Sequence, residues 1–475
     1  MSRQGRPIYT PIAWLPRGEA LIPAQHPKAR DIVVWQGIPG EPAVLELGGG
    51  GAHRRHARWV NSPNPSPHRV TPPCPKYDAC GGCPLMHVNS EGQSRARHSL
   101  VQNAFREASL SDVVISDEVS LGQESHFRHV NKLACGSSDR GRFRIGAPGR
   151  NNRRIVPIPE CLVITEELHN VMHAFVKLCI DFQVKAFEPG RGGLMRHLVC
   201  RQSALTGEVL VTLVAGVNHP VLQEITQQLS GRARSIVGIH LHINSEEGNA
   251  IYSRDETGHI QTRHMGGRSY IIDRLAGVDY RIGPGDFFQT NPALADRLYR
   301  DVLELAGVGT GEVALVDLYS GVGGFALAAA SHSSWALGVE SNGGAVRRAR
   351  ETASAGNIPA EFVHSEVLEA LPALERRLEG LRPVVVVNPA RRGLEEGVLE
   401  GISKLNPSKV IYVSCNPKAM ARDLADAVKT GWKIGRVIPY DMFPNTSHVE
   451  VVAELEPVQS ADGPSRRMPR RKVVR

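Results

Sequence analysis

The sequence lacks any long apolar run. No stretch approaches the roughly 20 consecutive apolar residues that cross a bilayer as a helix, and residues 1–10 contain no apolar signal-peptide core. Cysteine is also scarce, with 8 among 475 residues, and three of the 8 are crowded between positions 74 and 83. This distribution does not resemble the disulfide framework of a small secreted protein. We therefore expect a cytoplasmic protein without a membrane span.

What the sequence does have is length and positive charge. At roughly 150 residues per domain, 475 residues predict about three domains. The 56 Lys and Arg residues against 48 Asp and Glu residues give a net charge of +8. This balance favours a polyanionic partner, and nucleic acid is the leading class.

The first predicted domain covers residues 1–62 and is a small β-barrel. The short β-like runs EALIPA, DIVVWQG and AVLEL alternate with Gly and Pro, a spacing that is typical of small barrels. The run GGGGAHRRHARWV predicts a flexible loop followed by basic residues and Trp59, which suit phosphate contact and base stacking. A solvated hairpin tip fits the same residues equally well. The segment NSPNPSPHRVTPP predicts a stiff Pro-rich linker.

The second predicted domain covers residues 63–285 and begins with a cysteine cluster. Cys74, Cys80 and Cys83 are separated by five and two residues, and two glycines between the last pair allow a tight backbone that turns amide N–H groups toward sulfur. Three thiols this close predict a metal site, for which Cys161 is the best fourth ligand. Zinc and an iron–sulfur cluster both accept four cysteines, so both stay open.

The remainder of the chain predicts three kinds of structure. Residues up to 285 contain a helix from Gln93 to Ala108 and the strand-like runs VLVTLVAG and SIVGIHLHIN, which favour an α+β domain. Residues 286–457 alternate strands and helices and predict a doubly wound, Rossmann-like α/β domain. Residues 458–475 predict a disordered tail, in which six of the last ten residues are Lys or Arg. Such a tail can hold RNA nonspecifically or only aid solubility.

The run EVALVDLYSGVGGFALAAA indicates a nucleoside-binding turn. An apolar strand leads into Asp317, a Gly-rich turn and an Ala-rich helix, so that backbone can approach a ligand at the carboxyl edge of the sheet. About 20 residues further on, Glu340 ends the next strand, where a carboxylate can take both ribose hydroxyls. A dinucleotide fits this pair, but the Asp-x-x-x-Gly-x-Gly form favours S-adenosylmethionine.

Two further strand ends carry candidate reactive residues. A four-valine strand precedes Asn388 in PVVVVNPARRGL, and IYVSCNP stops a β-rich run at Cys415. Glu450 follows the run MFPNTSHV into the last strand. If these ends meet at one cleft, a thiol and a carboxylate face each other as nucleophile and base. The alternatives are a buried structural thiol, a plain strand–loop junction and an exposed strand residue.

The order of these motifs resembles one enzyme family. The motifs are Cys74-x5-CGGC, Cys161, FFQTN, DLYSGVGGFAL, GVESN, NPARRGL, VSCNPKAMARDL and DMFPNTSHVE. From about residue 8 to 456 the chain resembles the RNA uridine-5-methyltransferases, which use S-adenosylmethionine and have a class I methyltransferase domain. The amino-terminal segment is similar to the RNA-binding TRAM barrel, which has an OB-like form. A barrel together with a cysteine cluster resembles the 23S ribosomal RNA branch, because the tRNA branch generally lacks both.

The resemblance implies a covalent mechanism. Carbon 5 of uracil is too weak a nucleophile to attack a methylsulfonium, so a thiolate must first add to carbon 6, a role that falls to Cys415. After methyl transfer a base must remove the proton from carbon 5, a role that falls to Glu450. The target uridine must leave its stack to reach such a pocket.

The resemblance also implies the ligand-binding residues. The cofactor and base pocket would comprise Gln289, Tyr319, Gly324, Glu340, Glu366 and Asn388. A [4Fe-4S] cluster would be held by Cys74, Cys80, Cys83 and Cys161, with zinc as the alternative. The expected partner is RNA, with 23S ribosomal RNA first, and a monomer is favoured.

Some residues depart from the family pattern. Asn388 stands where the family has Asp, Gly324 replaces a frequent Asn or Thr, and Glu366 sits where Asp or Asn is common. An amide at 388 can accept a hydrogen bond but cannot carry charge. Asn388 motivates one alternative, a catalytically degenerate RNA-binding or ribosome-assembly protein. A separate, related alternative is the same reaction on tRNA. Cys415 and Glu450 argue against the degenerate protein.

Overall fold

The computed structural model of the chain describes residues 7–24, 26, 29–50, 54–138, 140–150, 154–188, 190–248, 250–256, 260–309 and 311–458. These residues form three large sheets and one two-stranded hairpin. The predicted basic tail lies, apart from residue 458, outside the described residues. No helix in the described ranges has both the length and the apolar character needed to cross a membrane.

The first sheet is curled and has six strands. Its strands are β1 (Ile8–Tyr9), β2 (Ala13–Trp14), β3 (Ala20–Ile22), β4 (Asp31–Trp35), β5 (Ala43–Gly50) and β6 (Arg54–Asn61). Their order is β1-β5-β6-β4-β3-β2, and only β4 and β6 run parallel. Alternate residues point to one side and form a small core of Ala20, Ile22, Val34, Ala43, Leu45 and Ala57. The predicted small β-domain is therefore present as a curled sheet.

The glycine run predicted as a flexible loop is partly strand. β5 continues to Gly50, which pairs with Arg55 of β6, and residues 51–53 lie outside the described residues. A Cβ on Gly50 would come within 2.2 Å of the Arg54 carbonyl oxygen. Gly50 allows the backbones of β5 and β6 to approach this closely because it has no Cβ. The hydrogen bonds between the two strands outweigh the low intrinsic preference of glycine for strands.

The Pro-rich segment is fixed to the first sheet and does not act as a free spacer. Arg69 in this segment pairs with the buried Glu41 (Nε–Oε1 2.7 Å) and donates to the Gln36 carbonyl oxygen at 2.7 Å. Its guanidinium also lies over the Trp59 ring, 4.0 Å from the centroid. One face of the tryptophan predicted to stack on bases is therefore covered by an arginine.

The second sheet follows helix α1 (Ser90–Glu107). Its elements are β7 (Val130–Ser137), β8 (Phe143–Pro148), β9 (Ile155–Pro157), α2 (Glu166–Asp181), β10 (Met195–Gln202), β11 (Val209–Ala215), α3 (Val221–Arg232), β12 (Ile236–Ile243) and β13 (Arg263–Gly267). The strand order is β13-β12-β11-β10-β7-β8-β9. Every residue of β11 is buried, as its apolar run predicts. Val209, Val211, Leu213 and Ala215 join the core that contains α2 and α3, whereas Leu210 joins a second core cluster on the other face. The hairpin β14 (Ile271–Leu275) and β15 (Val278–Ile282) comes next.

The third sheet is doubly wound. Its elements are α4 (Pro292–Leu305), β16 (Ala314–Leu318), α5 (Gly324–Ala330), β17 (Trp335–Glu340), α6 (Gly343–Gly356), β18 (Ala360–His364), α7 (Val367–Arg377), β19 (Val384–Val387), α8 (Val398–Lys404), β20 (Lys409–Ser414), α9 (Pro417–Lys429), β21 (Trp432–Tyr440) and β22 (Glu450–Pro457). The order is β18-β17-β16-β19-β20-β22-β21. Val384 and Val386 join one core cluster while Val385 and Val387 join another. The four-valine strand is therefore covered on both faces, and the predicted Rossmann-like domain is confirmed.

Helix α1 packs on this third sheet. It contacts α9 and β21, and its Val101, Ala104 and Phe105 belong to the same core cluster as β20 and β22. This packing joins the cysteine-rich segment that precedes α1 to the catalytic part of the chain.

Candidate active site

Five of the predicted site residues lie along one edge of the third sheet. Strands β16 to β20 of this sheet run parallel, so their carboxyl ends share the edge at which open α/β sheets bind ligands. The residues at or just after these ends are Tyr319, Glu340, Glu366, Asn388 and Cys415. Gly324 begins α5, and Glu450 begins β22, which runs antiparallel beside β20.

A buried carboxyl group shapes the turn after β16. Asp317 is 1% exposed, and its Oδ2 accepts the amide N–H groups of Phe325 and Ala326, each at 3.0 Å. Burial raises the pKa of Asp317 to about 7, although the two amide bonds lower it. Its Oδ1 is buried and has no hydrogen-bond partner among the described residues. Asp317 Oδ2 thus fixes the turn through its two hydrogen bonds, and Oδ1 can accept a hydrogen bond from a ligand.

Tyr319 occupies a strained position in this turn. Its φ of 64° lies in the left-handed region, which is costly for a residue with a side chain. Its hydroxyl is buried without a hydrogen-bond partner in the described part of the chain. Burial raises the pKa of this phenol to about 12, so the group stays protonated and able to donate.

Glu340 is held by backbone amides. Its Oε2 accepts from the Gly321 N–H at 2.9 Å, and its Oε1 accepts from the Asn342 N–H at 2.7 Å. Each carboxylate oxygen keeps a further acceptor position. The carboxylate is therefore oriented beside the Gly-rich turn and can accept the two hydroxyls of a ribose.

Glu366 and Asn388 have few contacts of their own. Glu366 is the N-cap of α7, but its exposed side chain forms no capping bond. Asn388 is half-buried directly after β19, and its backbone N–H reaches the Leu318 carbonyl oxygen at 3.3 Å. Both side chains are placed at the edge without being used by the fold.

Gln289 lies at a junction of the second sheet with the catalytic edge, and is 5% exposed. The carbonyl oxygen of the adjacent Thr290 accepts from the His129 N–H at 2.8 Å. Asn291 Nδ2 donates to the Met442 carbonyl oxygen at 3.5 Å. The FFQTN segment is therefore tied on one side to the second sheet and on the other to the loop before β22.

Cys415 sits in a sharp bend between β20 and α9. The strand ends at Ser414, and the Asn416 side chain caps α9 by accepting from the Lys418 N–H at 3.2 Å. Pro417 is the first helical residue, a position that needs no N–H donor. The sequence Ser-Cys-Asn-Pro therefore dictates both the strand end and the helix start, and it leaves the thiol half-buried at the edge.

The register of two strands places Cys415 across from Glu450. The last paired residues of β20 and β22 are Ser414 and Val451, so one further step aligns Cys415 with Glu450. Glu450 is 4% exposed. Burial raises the pKa of its carboxyl group to about 8, and the nearby Arg391 lowers it.

Arg391 completes this group. Burial and then the Glu450 carboxyl raise the pKa of the Cys415 thiol, whereas the Arg391 guanidinium lowers it through its charge and a hydrogen bond to the sulfur. Arg391 lies within the NPARRGL motif but is not among the site residues predicted from the sequence. A thiol, a carboxyl group and a cation that favours the ionised form of both therefore share one cleft.

A buried ion-pair network anchors the loop that leads to Glu450. Arg97 of α1 pairs with Glu118 (Nε–Oε2 2.6 Å) and with Asp441 (Nη2–Oδ2 3.0 Å). Its Nη1 also donates to the Thr446 carbonyl oxygen at 3.1 Å. Because Arg97 and Glu118 are almost fully buried, this geometry is strongly determined. The network fixes the start of β22 against α1.

The four predicted ligand cysteines line one cavity of about 230 Å³. They are Cys74, Cys80, Cys83 and Cys161. Among the described residues, no three or more His, Cys, Asp or Glu side chains approach closely enough to hold a single metal ion. What the four cysteines share in the described part of the chain is the lining of this cavity.

Charged and amide groups surround these sulfurs. The Gly82 N–H donates to Cys80 Sγ at 3.4 Å. Burial raises the pKa of Cys83 to about 12, and burial also raises the pKa of Cys161, which amide bonds from the following turn lower. Burial lowers the pKa of Arg128, and the negative charge of the nearby Cys161 and Cys83 sulfurs opposes this shift. Amide donors and a half-buried guanidinium suit thiolate ligands.

The cysteine loop is also joined to the first sheet. The Arg150 guanidinium lies over the Trp35 ring and bonds the Tyr77 carbonyl oxygen. Gln36 Nε2 donates to Asp78 Oδ1 at 2.8 Å. The predicted barrel and the cysteine cavity are therefore directly connected.

Comparisons with known proteins agree with the geometry. A family model described as tRNA (Uracil-5-)-methyltransferase matches residues 202–457, which is 256 of the 475 residues. An "Uncharacterized RNA methyltransferase" of Clostridium tetani is 30% identical over 400 residues, covering 83% of this chain and 85% of that protein. Another of Bacillus cereus is 29% identical over 434 residues, covering 90% of this chain and 93% of that protein.

A solved structure covers almost the whole chain. It is the Pyrococcus abyssi tRNA (uracil-54, C5)-methyltransferase in complex with S-adenosyl-L-homocysteine. The two chains share 26% identity with a TM-score of 0.73, over 94% of this chain and 100% of that one. The chain therefore belongs to the tRNA (uracil-5-)-methyltransferase family and is an S-adenosylmethionine-dependent RNA (uracil-5-)-methyltransferase.

Proposed function

We propose that this enzyme methylates carbon 5 of a uridine in 23S ribosomal RNA through a covalent adduct with Cys415. The observation that carries the proposal is the β20–β22 register, which sets Cys415 across from the buried Glu450. A nucleophile and a base that both reach the same uracil ring are what carbon 5 chemistry requires.

The reaction begins at carbon 6 of the flipped uridine. The Cys415 thiolate adds to carbon 6, and the electron pair of the carbon 5–carbon 6 double bond moves into the ring as an enolate. Carbon 5 then takes the methyl group, and S-adenosylhomocysteine leaves. Glu450 removes the proton from carbon 5, the double bond re-forms, and the carbon–sulfur bond breaks to return the thiolate. Glu450 finally releases its proton to solvent.

The positive charge of Arg391 stabilises the two negative charges that the reaction needs, those of the Cys415 thiolate and the Glu450 carboxylate. Burial disfavours both the thiolate and the carboxylate, and each negative charge disfavours the other. The guanidinium opposes both effects. The cationic sulfonium of the methyl donor would also lower the pKa of a neighbouring carboxyl group, so substrate binding prepares Glu450 to act as the base.

The methyl donor would lie along the carboxyl edge of the third sheet. Glu340 would bind the ribose and Glu366 the adenine side, while Tyr319 and Gly324 line the turn. Gln289 and Asn388 would contact the uracil, because an amide can both donate to and accept from its edge. Asn388 would do so without adding a carboxylate beside Cys415.

The four cysteines would hold a [4Fe-4S] cluster. In such a cluster each cysteine binds a different iron atom, so the sulfurs surround a volume and do not meet at one point. The shared cavity and the amide and guanidinium groups near the sulfurs suit this arrangement. Zinc would instead need four sulfurs within bonding distance of one ion. Iron and sulfide analysis after anaerobic purification separates the two.

Ribosomal RNA is proposed as the substrate because the amino-terminal β-domain and the cysteine set resemble those of the 23S ribosomal RNA branch of the family. Residues 1–62 would be a TRAM-like RNA-binding domain, residues 63–285 the cluster-bearing domain and residues 286–457 the methyltransferase domain. Arg54 and Arg55 are exposed on β6 and can contact phosphate. The Pyrococcus abyssi tRNA (uracil-54, C5)-methyltransferase matches 94% of this chain, and so most of these parts as well, which makes tRNA the second candidate.

Covalent trapping tests the mechanism. The enzyme and S-adenosylmethionine are incubated with ribosomal RNA that carries 5-fluorouridine, and adducts that survive denaturation are separated by size. Fluorine at carbon 5 cannot leave as a proton does, so the carbon 6 thioether persists. We expect an adduct with the native enzyme and with Cys200→Ala, a buried cysteine outside the site, but none with Cys415→Ala.

The same assay separates the alternatives. An adduct with tRNA and none with ribosomal RNA would change the substrate but keep the mechanism. If the protein still binds RNA but forms no adduct with ribosomal RNA and none with tRNA, the covalent mechanism is refuted. That result would favour the catalytically degenerate RNA-binding protein.

A further inference from the structure

Helix α4 carries a tyrosine to the start of α5. Tyr299 is 7% exposed, and its ring stacks on Phe325 with a centroid separation of 4.4 Å and an interplanar angle of 24°. Phe325 is the second residue of α5. The phenol of Tyr299 is therefore fixed beside the Gly-rich turn, although it comes from a different element.

The hydroxyl of Tyr299 occupies the space that a side chain at position 324 would need. A Cβ built on Gly324 would lie 2.5 Å from Tyr299 Oη and 3.3 Å from its Cζ. The Gly324 carbonyl oxygen accepts from the Tyr280 hydroxyl at 2.6 Å. Two tyrosines thus hold this glycine, one through its backbone and one at the position of its missing side chain.

The surroundings of Tyr299 Oη are acidic. The carboxyl groups of Asp317 and Glu450 are both near enough to raise the pKa of the Tyr299 phenol, after the larger effect of burial. Asp317 Oδ1 is a buried acceptor with no partner in the described ranges. Two oxygen acceptors at one end of the cleft suit a cation with several N–H donors.

We propose that Tyr299 is a methyl-donor-binding residue, whose Oη accepts, together with Asp317 Oδ1, from the ammonium group of S-adenosylmethionine. The inference rests on the donor pocket proposed above. With the ribose at Glu340, the amino-acid end of the donor extends along the turn toward α5, where these two oxygens lie. The sulfonium then lies between the two ends.

Ligand pairs test this directly. Calorimetry measures the affinity of the full-length enzyme for S-adenosylhomocysteine and for an analogue that lacks the amino group. A hydrogen bond to a charged group predicts that Tyr299→Phe weakens S-adenosylhomocysteine binding by about tenfold. The same variant should leave the affinity for the analogue unchanged, because the analogue has no ammonium group to lose.

Tyr280→Phe is the matched control. This variant also removes a phenol oxygen from a buried tyrosine beside Gly324. The oxygen that it removes donates to the Gly324 carbonyl oxygen, so it is not one of the two oxygens proposed to bind the ammonium group. We expect it to affect the two ligands equally. Gly324→Ala gives an independent test: it should displace Oη and weaken S-adenosylhomocysteine more than the analogue, and a Tyr299→Phe background should reduce its effect.

The outcomes are distinguishable. An equal loss for both ligands in Tyr299→Phe, or no loss for either, would overturn the role of the hydroxyl while leaving the donor pocket in place. Absence of S-adenosylhomocysteine binding by the native enzyme would overturn the pocket and this inference together. RNA is absent from the measurement, so a wrong RNA substrate would not affect it.

Discussion

Replacing Arg391 should slow the reaction of Cys415 with alkylating reagents. Burial and then Glu450 raise the pKa of the Cys415 thiol, and the Arg391 guanidinium opposes both through its charge and a hydrogen bond to the sulfur. A charge-assisted hydrogen bond contributes about 1.5–3 kcal/mol, and because Arg391 is exposed we take the lower value. About 1.4 kcal/mol is a tenfold change in the thiolate population. Arg391→Met should therefore react about tenfold more slowly at pH 7.

The assay follows iodoacetamide labelling of the Cys415 peptide by mass spectrometry, across a range of pH. Arg392→Met is the matched control, because this neighbouring arginine is exposed and pairs with Glu395. Glu450→Gln should act in the opposite direction above about pH 8, where the native carboxyl group is ionised and raises the pKa of the thiol. Equal labelling of Arg391→Met and the native enzyme would refute the assignment of Arg391. Slower labelling of Glu450→Gln would refute the pairing of Cys415 with Glu450.

Three further predictions concern other parts of the site. Glu450 keeps its proton to about pH 8 in the folded protein but loses it near pH 4.5 in the unfolded chain, so the folded protein loses stability as the pH rises from 4.5 to 8. Glu450→Gln removes this effect and should raise the free energy of unfolding at pH 9 by roughly 5 kcal/mol. Below pH 4.5 the variant should change it little, and urea titration measures both values. Glu340→Gln should weaken S-adenosylhomocysteine binding by about tenfold in calorimetry, since an amide side chain holds the Gly321 and Asn342 amides and the ribose less well. Arg97→Met should lower the free energy of unfolding by about 3–5 kcal/mol, because Glu118 and Asp441 stay buried without their cation, whereas the exposed Arg95→Met should change it little.

The sequence predicts those features that depend on short-range pattern. A run of four valines indicates a strand covered on both faces, and Ser-Cys-Asn-Pro indicates a strand end followed by a helix start. Because parallel strands share their carboxyl edge, the positions of Glu340, Asn388 and Cys415 at one cleft follow from the strand assignment alone.

Features that depend on register or on distant packing are not predictable in this way. The pairing of Cys415 with Glu450 requires β22 to lie between β20 and β21, and no local pattern specifies that insertion or its register. The stacking of Arg69 on Trp59 and the contact of Tyr299 with Gly324 join residues of separate elements. Arg391 lies in the NPARRGL motif, which directly follows the end of β19. A basic residue at a strand end that shares its edge with a candidate thiol was the signal that could have identified it.

The departures from the family pattern have different physical consequences. Gly324 lacks the polar side chain of the Asn or Thr that is frequent at this position in the family. The Tyr299 hydroxyl occupies the space of that side chain, so the pocket keeps a polar group there. At position 388 the amide replaces a carboxylate at an edge that already holds Asp317 and Glu450, whose pKa values burial raises to about 7 and about 8. A further carboxylate beside Cys415 would raise the pKa of the thiol, an effect that the Arg391 guanidinium opposes. Asn388 therefore favours the thiolate, which is the form that the reaction needs, and does not by itself indicate a degenerate site.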